Sequence, residues 1–160
     1  MRNWIRVVND HGLEAASLIA LAALAAALYL QHMHDWQPCP LCILQRLGFI
    51  GVALSALLAV ALRGSARRLA IIGGVLTGLA GAAAAGYHVW VLKHPGTSCG
   101  VDPLETVINS QPVSDLLPWL LKADGLCATP YPPLLGLELP IWSLGVSLLC
   151  VLILARAWGR

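Results

Sequence analysis

Two thiols three positions apart, Cys39 and Cys42, open an apolar run in the stretch Q-P-C-P-L-C-I-L-Q-R, and Arg46 follows four residues after the second. Bridging residues so close in sequence restrains almost none of the unfolded chain, so stapling explains the pair poorly. Redox chemistry explains it better. A thiol at a helix N-terminus meets free N–H groups and the positive end of the dipole, which favour the nucleophilic thiolate. Pro40 suits a first helical turn, where no N–H partner is needed, and Cys42 then falls in that turn. Arg46 shares a helix face with Cys42, one turn deeper. Its cation could stabilise a thiolate, or an oxyanion developing on a bound carbonyl compound. The plainer alternative is a snorkelling arginine whose head reaches the outer headgroups. Gln45 could add an amide to the same site or simply face the interface.

The remaining cysteines are Cys99, Cys127 and Cys150. Cys150, inside L-L-C-V-L-I, reads as a small, soft packing residue. Closing a loop between Cys99 and Cys127 would stabilise by roughly 3–4 kcal/mol in the chain-entropy model. Proximity favours Cys39 with Cys42, leaving Cys99 with Cys127, although four cysteines permit three pairings. His32 and His34 lie just before the pair, so zinc could in principle find two imidazoles and two thiols. The spacing differs from common zinc patterns and a closed site would tie up the thiols, so no metal is expected. His88, flanked by Tyr87 and Trp90, is the better candidate for a buried polar role, and His94 reads as loop surface.

The elements that must carry these residues follow from hydropathy. Of 160 residues, 58% are hydrophobic and 11% charged, well short of the roughly 25% charged residues of a soluble domain. Four segments, about 13–30, 43–62, 69–92 and 139–157, are long and apolar enough to span a bilayer. They lack the alternation of a membrane barrel, and backbone groups in hydrocarbon must be paired internally, so the expectation is an all-α membrane protein, a four-helix transmembrane bundle in one domain. The first run exceeds a secretory core of roughly 7–15 residues, so it is read as a span. Abundant Gly and Ala within the runs suit close helix packing. With no basic cluster or stacking platform, and a net charge of +2, nucleic acid is not expected as a partner.

Arg2, Arg6, Arg63, Arg67, Arg68, Arg156 and Arg160 fall on one side of this arrangement, and only Lys93 and Lys122 on the other. The positive-inside rule therefore makes both termini cytoplasmic and the 31–42 and 93–138 loops external. Trp36, Trp90, Trp119 and Trp142 then mark the outer interface, and Trp4 and Trp158 the inner one. The four loop cysteines all lie on the oxidising side, where disulfides persist. In the long loop, Gly96, Gly100, Gly125 and the prolines Pro130, Pro132 and Pro133 supply mobility. Val113, Leu116, Leu117, Leu120 and Leu121 follow helical spacing there, as in a short helix lying on the bilayer, with Pro118 breaking or starting it.

Four spans, a C-x-x-C in the first outer loop with Arg at +4, and a second cysteine pair in a long outer loop resemble the bacterial disulfide bond formation protein B family, DsbB. The likeness covers essentially the whole chain; P-C-P-L-C-I-L-Q-R is specific, and G-L-E-L-P-I-W entering the last span adds to it. The resemblance implies an inner-membrane thiol oxidase that reoxidises a periplasmic thioredoxin-fold partner, DsbA-like, and passes two electrons to ubiquinone or menaquinone. A DsbA-type oxidant sits near −120 mV, so only a more oxidising acceptor recharges it. By the same analogy the partner's thiol attacks Cys99 and Cys127 helps resolve the mixed disulfide. Cys39 then accepts the link from Cys127 and frees Cys42, while Arg46 and His88 line a quinone pocket. Two rivals remain. A vitamin K epoxide reductase-like enzyme also joins thiols to quinone, but its C-x-x-C follows its loop cysteines in sequence. A non-catalytic tetraspan held by structural disulfides would lose little on replacing Cys39 and Cys42 by Ser.

Overall fold

The computed structural model describes residues 2–94, 103–129 and 131–158. Four long helices dominate it: α1 (Arg2–His34), α2 (Pro40–Ala61), α3 (Gly64–Lys93) and, last in the chain, α7 (Leu139–Trp158). Between α3 and α7 lie the short helices α4 (Pro103–Asn109), α5 (Pro112–Leu116) and α6 (Pro118–Leu121). Each long helix holds a stretch apolar enough to cross a membrane, and the fold is an all-α membrane bundle. Leu18, Leu54, Leu58, Leu69, Leu76 and Leu152 are each more than half exposed along the shafts. That outward apolar surface is what lipid requires and water would penalise.

Packing follows helical periodicity. On α3, Gly74, Gly78, Gly81, Ala85 and His88 recur at intervals of four and three, so they form one stripe, and all are buried. On α2 the matching stripe is Gln45, Gly48, Val52 and Ala59, also buried. The stripes meet at backbone distance: a Cβ at Gly48 would stand 2.9 Å from the Gly81 Cα and 3.2 Å from the Thr77 carbonyl oxygen. Lipid gives no hydrophobic drive between helices, so such close van der Waals approach is the main source of cohesion. α7 closes on the other side of the same stripe, where a Cβ at Gly78 would meet Val151 at 2.7 Å. Leu13, Ala16, Phe49, Val52, Ala56, Ile71, Cys150 and Leu154 fill the centre. Cys150 is a packing residue there, its thiol 3.8 Å from the Ala16 carbonyl.

The turns are built from local chemistry. Asp35 follows α1 at φ 53°, a left-handed conformation that Asp tolerates better than most residues, and it redirects the chain toward Cys39. Leu62 and Arg63 join α2 to α3, whose first residue, Gly64, takes φ 63°. The helical spacing over 113–121 yields two helices rather than one. Leu117, at φ −129° and ψ 60°, separates α5 from α6. Pro118 causes this break, since it lacks an N–H and excludes the residue before it from helical geometry.

Candidate active site

Cys39 caps α2. Its backbone is extended (φ −83°, ψ 167°), Pro40 opens the helix, and its sulfur accepts the Cys42 N–H at 3.4 Å. The side chain thus replaces one of the partners that a helix start lacks. The two sulfurs stand 3.0 Å apart. Across the seam, the α3 stripe delivers His88 to the same level, 6% exposed. Its Nε2 lies 3.8 Å from Cys39 Sγ and its Nδ1 3.9 Å from Cys42 Sγ. The two sulfurs and an imidazole nitrogen lie within 4.8 Å of one another, a donor set that a soft cation could also take.

The second outer segment closes the cluster. Cys127 is fully buried against Cys39, Leu41 and Val91. Its thiol hydrogen-bonds Cys39, and its carbonyl accepts from His88 Nε2 at 3.2 Å. That thiol first, then the Cys42 thiol and burial, push Cys39 far above the usual thiol range. Cys39 therefore resists becoming a thiolate, and suits the role of the sulfur attacked rather than the one attacking.

Backbone contacts hold this segment in register. The Pro38 carbonyl accepts the N–H groups of Asp124 and Gly125 at 3.1 and 3.0 Å. A Cβ at Gly125 would collide with the Gln37 carbonyl, so the approach requires glycine. Tyr131 donates to the Gln37 carbonyl at 2.9 Å and stacks on Trp36 with centroids 4.8 Å apart. Burial, chiefly, raises the Tyr131 hydroxyl above its ordinary range, so it remains a donor. Asn109 clamps Ala123 from both sides, donating to its carbonyl and accepting its N–H, each at 2.9 Å.

Arg46 is 4% exposed, which rules out the snorkelling alternative. Its Nη1 donates to Gln31 Oε1 at 2.7 Å and to the Leu120 carbonyl at 2.9 Å. It thereby ties α1 and the end of α6 to α2. Its Nε is buried and has no partner among the described residues. Gln45 is buried too, and its Nε2 lies 3.3 Å from His88 Nδ1, so it does not face the interface.

Cys39, Cys42, Cys127 and His88 are thus gathered at one end of the bundle, with Arg46 alongside on α2; Cys99 lies outside the described residues. Gly96, Gly100, Pro130 and Arg160 lie outside them as well. Sequence reasoning missed Gln31, Asn109 and the Pro38 carbonyl. Only the polar character of Gln31 at the end of an apolar run hinted at any of them.

Comparison with known proteins finds relatives along nearly the whole chain. The family profile described as "Disulfide bond formation protein DsbB" matches residues 11–157. A "Disulfide bond formation protein B" of Herminiimonas arsenicoxydans is 47% identical over 130 residues, covering 81% of this chain and 82% of the relative. One from Cupriavidus metallidurans is 48% identical over 139 residues, covering 87% and 86%. One from Ralstonia nicotianae is 46% identical over 145 residues, or 90% of each chain. The chain belongs to the DsbB family, a membrane oxidoreductase that acts in protein disulfide bond formation.

Proposed function

We propose that the protein is a thiol:quinone oxidoreductase of the bacterial inner membrane, with both termini cytoplasmic and the cysteine pairs periplasmic. It reoxidises a DsbA-like thioredoxin-fold partner and delivers the electrons to ubiquinone or menaquinone. The observation that carries this reading is the burial of Cys127 against Cys39 at the cap of α2. A structural staple has no need of a third sulfur beside a C-x-x-C.

The thiol steps balance within the chain and its partner. A thiolate of the reduced partner attacks Cys99 of a Cys99–Cys127 disulfide, forming a mixed disulfide and releasing Cys127 as thiolate. The partner's second thiol displaces Cys99 and leaves the partner oxidised. Cys127 attacks Cys39 of a Cys39–Cys42 disulfide, forming a Cys39–Cys127 bond and releasing Cys42 with the electron pair. Cys99 then attacks Cys127, restoring the Cys99–Cys127 disulfide and leaving Cys39 and Cys42 as the reduced pair. The raised affinity of Cys39 for its proton fits this direction, since it is the sulfur attacked.

The chain's residues suit a quinone. Arg46 Nε is a buried donor lacking an acceptor among the described residues, and a quinone oxygen is acceptor-only. Arg46 and His88 would hold the headgroup near Cys42. When bound, a quinone supplies an acceptor for two electrons and two protons.

The test mixes purified protein with a quinone and a reduced DsbA-like partner. Quinone reduction should track partner oxidation one for one. No turnover with any quinone would sink the reading. A scaffold held by disulfides predicts that outcome, while a vitamin K epoxide reductase-like activity predicts epoxide reduction instead.

A further inference from the structure

We propose that Gln45 is a positioning residue. Its side-chain amide holds His88 as the Nε2–H tautomer, so that the bare Nδ1 is turned toward Cys42. This deepens, and rests on, the redox reading given above.

The tautomer follows by elimination. The partner of His88 Nε2 is the Cys127 carbonyl oxygen at 3.2 Å, which can only accept, so Nε2 carries the hydrogen. In the neutral ring Nδ1 is then bare, and which nitrogen is bare depends on what the other one bonds. Nδ1 faces two groups, the Gln45 amide nitrogen at 3.3 Å and Cys42 Sγ at 3.9 Å. Gln45 is itself buried, and it projects from the α2 stripe directly across the seam from His88. The remaining neighbour, Cys39 Sγ, lies on the Nε2 side at 3.8 Å.

The choice of an amide has chemical consequences. Where the reduced Cys42 has taken up a proton, that proton can pass to Nδ1, giving a thiolate and an imidazolium, with no electron transferred. Gln45 then turns its carbonyl to accept from Nδ1–H, having offered its NH2 to the bare nitrogen before. A glutamate could only accept and would favour Nδ1–H from the start, setting a bare Nε2 against the Cys127 carbonyl. A leucine would leave the Cys127 carbonyl alone to favour Nε2–H, with no donor at Nδ1 to oppose a proton there. Gln45 is thus compatible with both states of His88 through one rotation, without moving either helix.

The test uses full-length protein carrying 15N-labelled histidine, oxidised and quinone-free, in nanodiscs. The His88 signals are assigned by their loss in His88→Gln. The wild type should show Nε2 protonated and Nδ1 bare. Gln45→Leu should show an Nδ1–H fraction absent from wild type, beside the Nε2–H form that the Cys127 carbonyl still favours, and Gln45→Glu a protonated Nδ1. In quinone turnover, Gln45→Leu should lose about tenfold in kcat, a part of the ~10²–10⁴ that a positioned proton carrier contributes. Its KM for quinone should stay within about twofold. An Nδ1–H or doubly protonated ring in the wild type overturns the proposal, whether or not the variants fold. So does a Gln45→Leu protein with the wild-type tautomer. If the wild type reduces no quinone, the functional reading fails while the spectrum still decides the role of Gln45.

Discussion

The seam between α2 and α3 changes character along its length. From Gly48 inward it is made of what side chains lack, with Gly48 against Gly81 and Gly51 against Thr77 at distances no Cβ would tolerate. From Gln45 outward, the same two stripes present an amide, an imidazole and the paired sulfurs, bonded to one another and to the Cys127 carbonyl. The inner half should therefore resist changes of size more than changes of chemistry. The outer half of the seam should resist changes of chemistry first. A rigid inner seam fixes where His88 and Cys42 stand, and the outer half uses that fixity.

The largest effect should come from the outer half. Cys42→Ser keeps the shape of the first turn of α2 and removes the leaving sulfur. Turnover of partner and quinone should fall by more than about 10³-fold, as when a covalent nucleophile is lost. Thermal unfolding in detergent should stay within a few degrees of wild type, because only the part-buried contacts of the Cys42 sulfur, to Cys39 at 3.0 Å and to His88 at 3.9 Å, are altered. A comparable loss of melting temperature would mean that the pair is a staple. Gly48→Leu should give the opposite profile. Even its Cβ would press on backbone at 2.9 Å, and overpacking of this kind costs on the order of 1–3 kcal/mol or more. Unfolding monitored by tryptophan fluorescence should shift accordingly, with activity lost only as folded protein is lost.

The inner half was the more legible from sequence. Apolar runs, glycines and alanines report composition over many residues, and the four-helix bundle follows from them. Hydropathy marks what lipid demands, though, not where backbone hydrogen bonding ends. Hence α1 runs from Arg2 to His34, past both ends of the apolar stretch. At the site, the cap of α2 was readable because Cys39, Pro40 and Cys42 are neighbours. The partners of Arg46 were not, since Gln31 and Leu120 lie 15 and 74 positions away. No local pattern encodes such a meeting. Pro118 was visible as a breaker, but whether it ended a helix or began one depended on the conformation of Leu117.

Gly125 joins the two halves of the comparison, because there a missing side chain serves the chemistry. A Cβ would fall on the Gln37 carbonyl and 3.2 Å from the Pro38 carbonyl carbon. Gly125→Ala must therefore move the 123–127 segment outward, lengthening both N–H bonds to Pro38 and drawing Cys127 from Cys39. Misplacing reacting atoms by about 1 Å can cost up to ~10²-fold in rate, and a loop that can partly readjust should lose about tenfold. The loss should be confined to one substrate. On the proposed exchange route, oxidation of the reduced partner needs Cys127 to reach Cys39, whereas a small dithiol would reduce a Cys39–Cys42 disulfide directly. The variant should therefore be slow with the partner and near wild type with the dithiol. Tyr131→Phe removes one hydrogen bond of the same clasp and keeps the stacking on Trp36. It should show the same selectivity at about twofold, the lower end of what the roughly 0.5–1.5 kcal/mol of one such bond would give. Equal slowing of partner and dithiol in Gly125→Ala would locate its effect in the C-x-x-C turn itself, not in the meeting of the two outer segments.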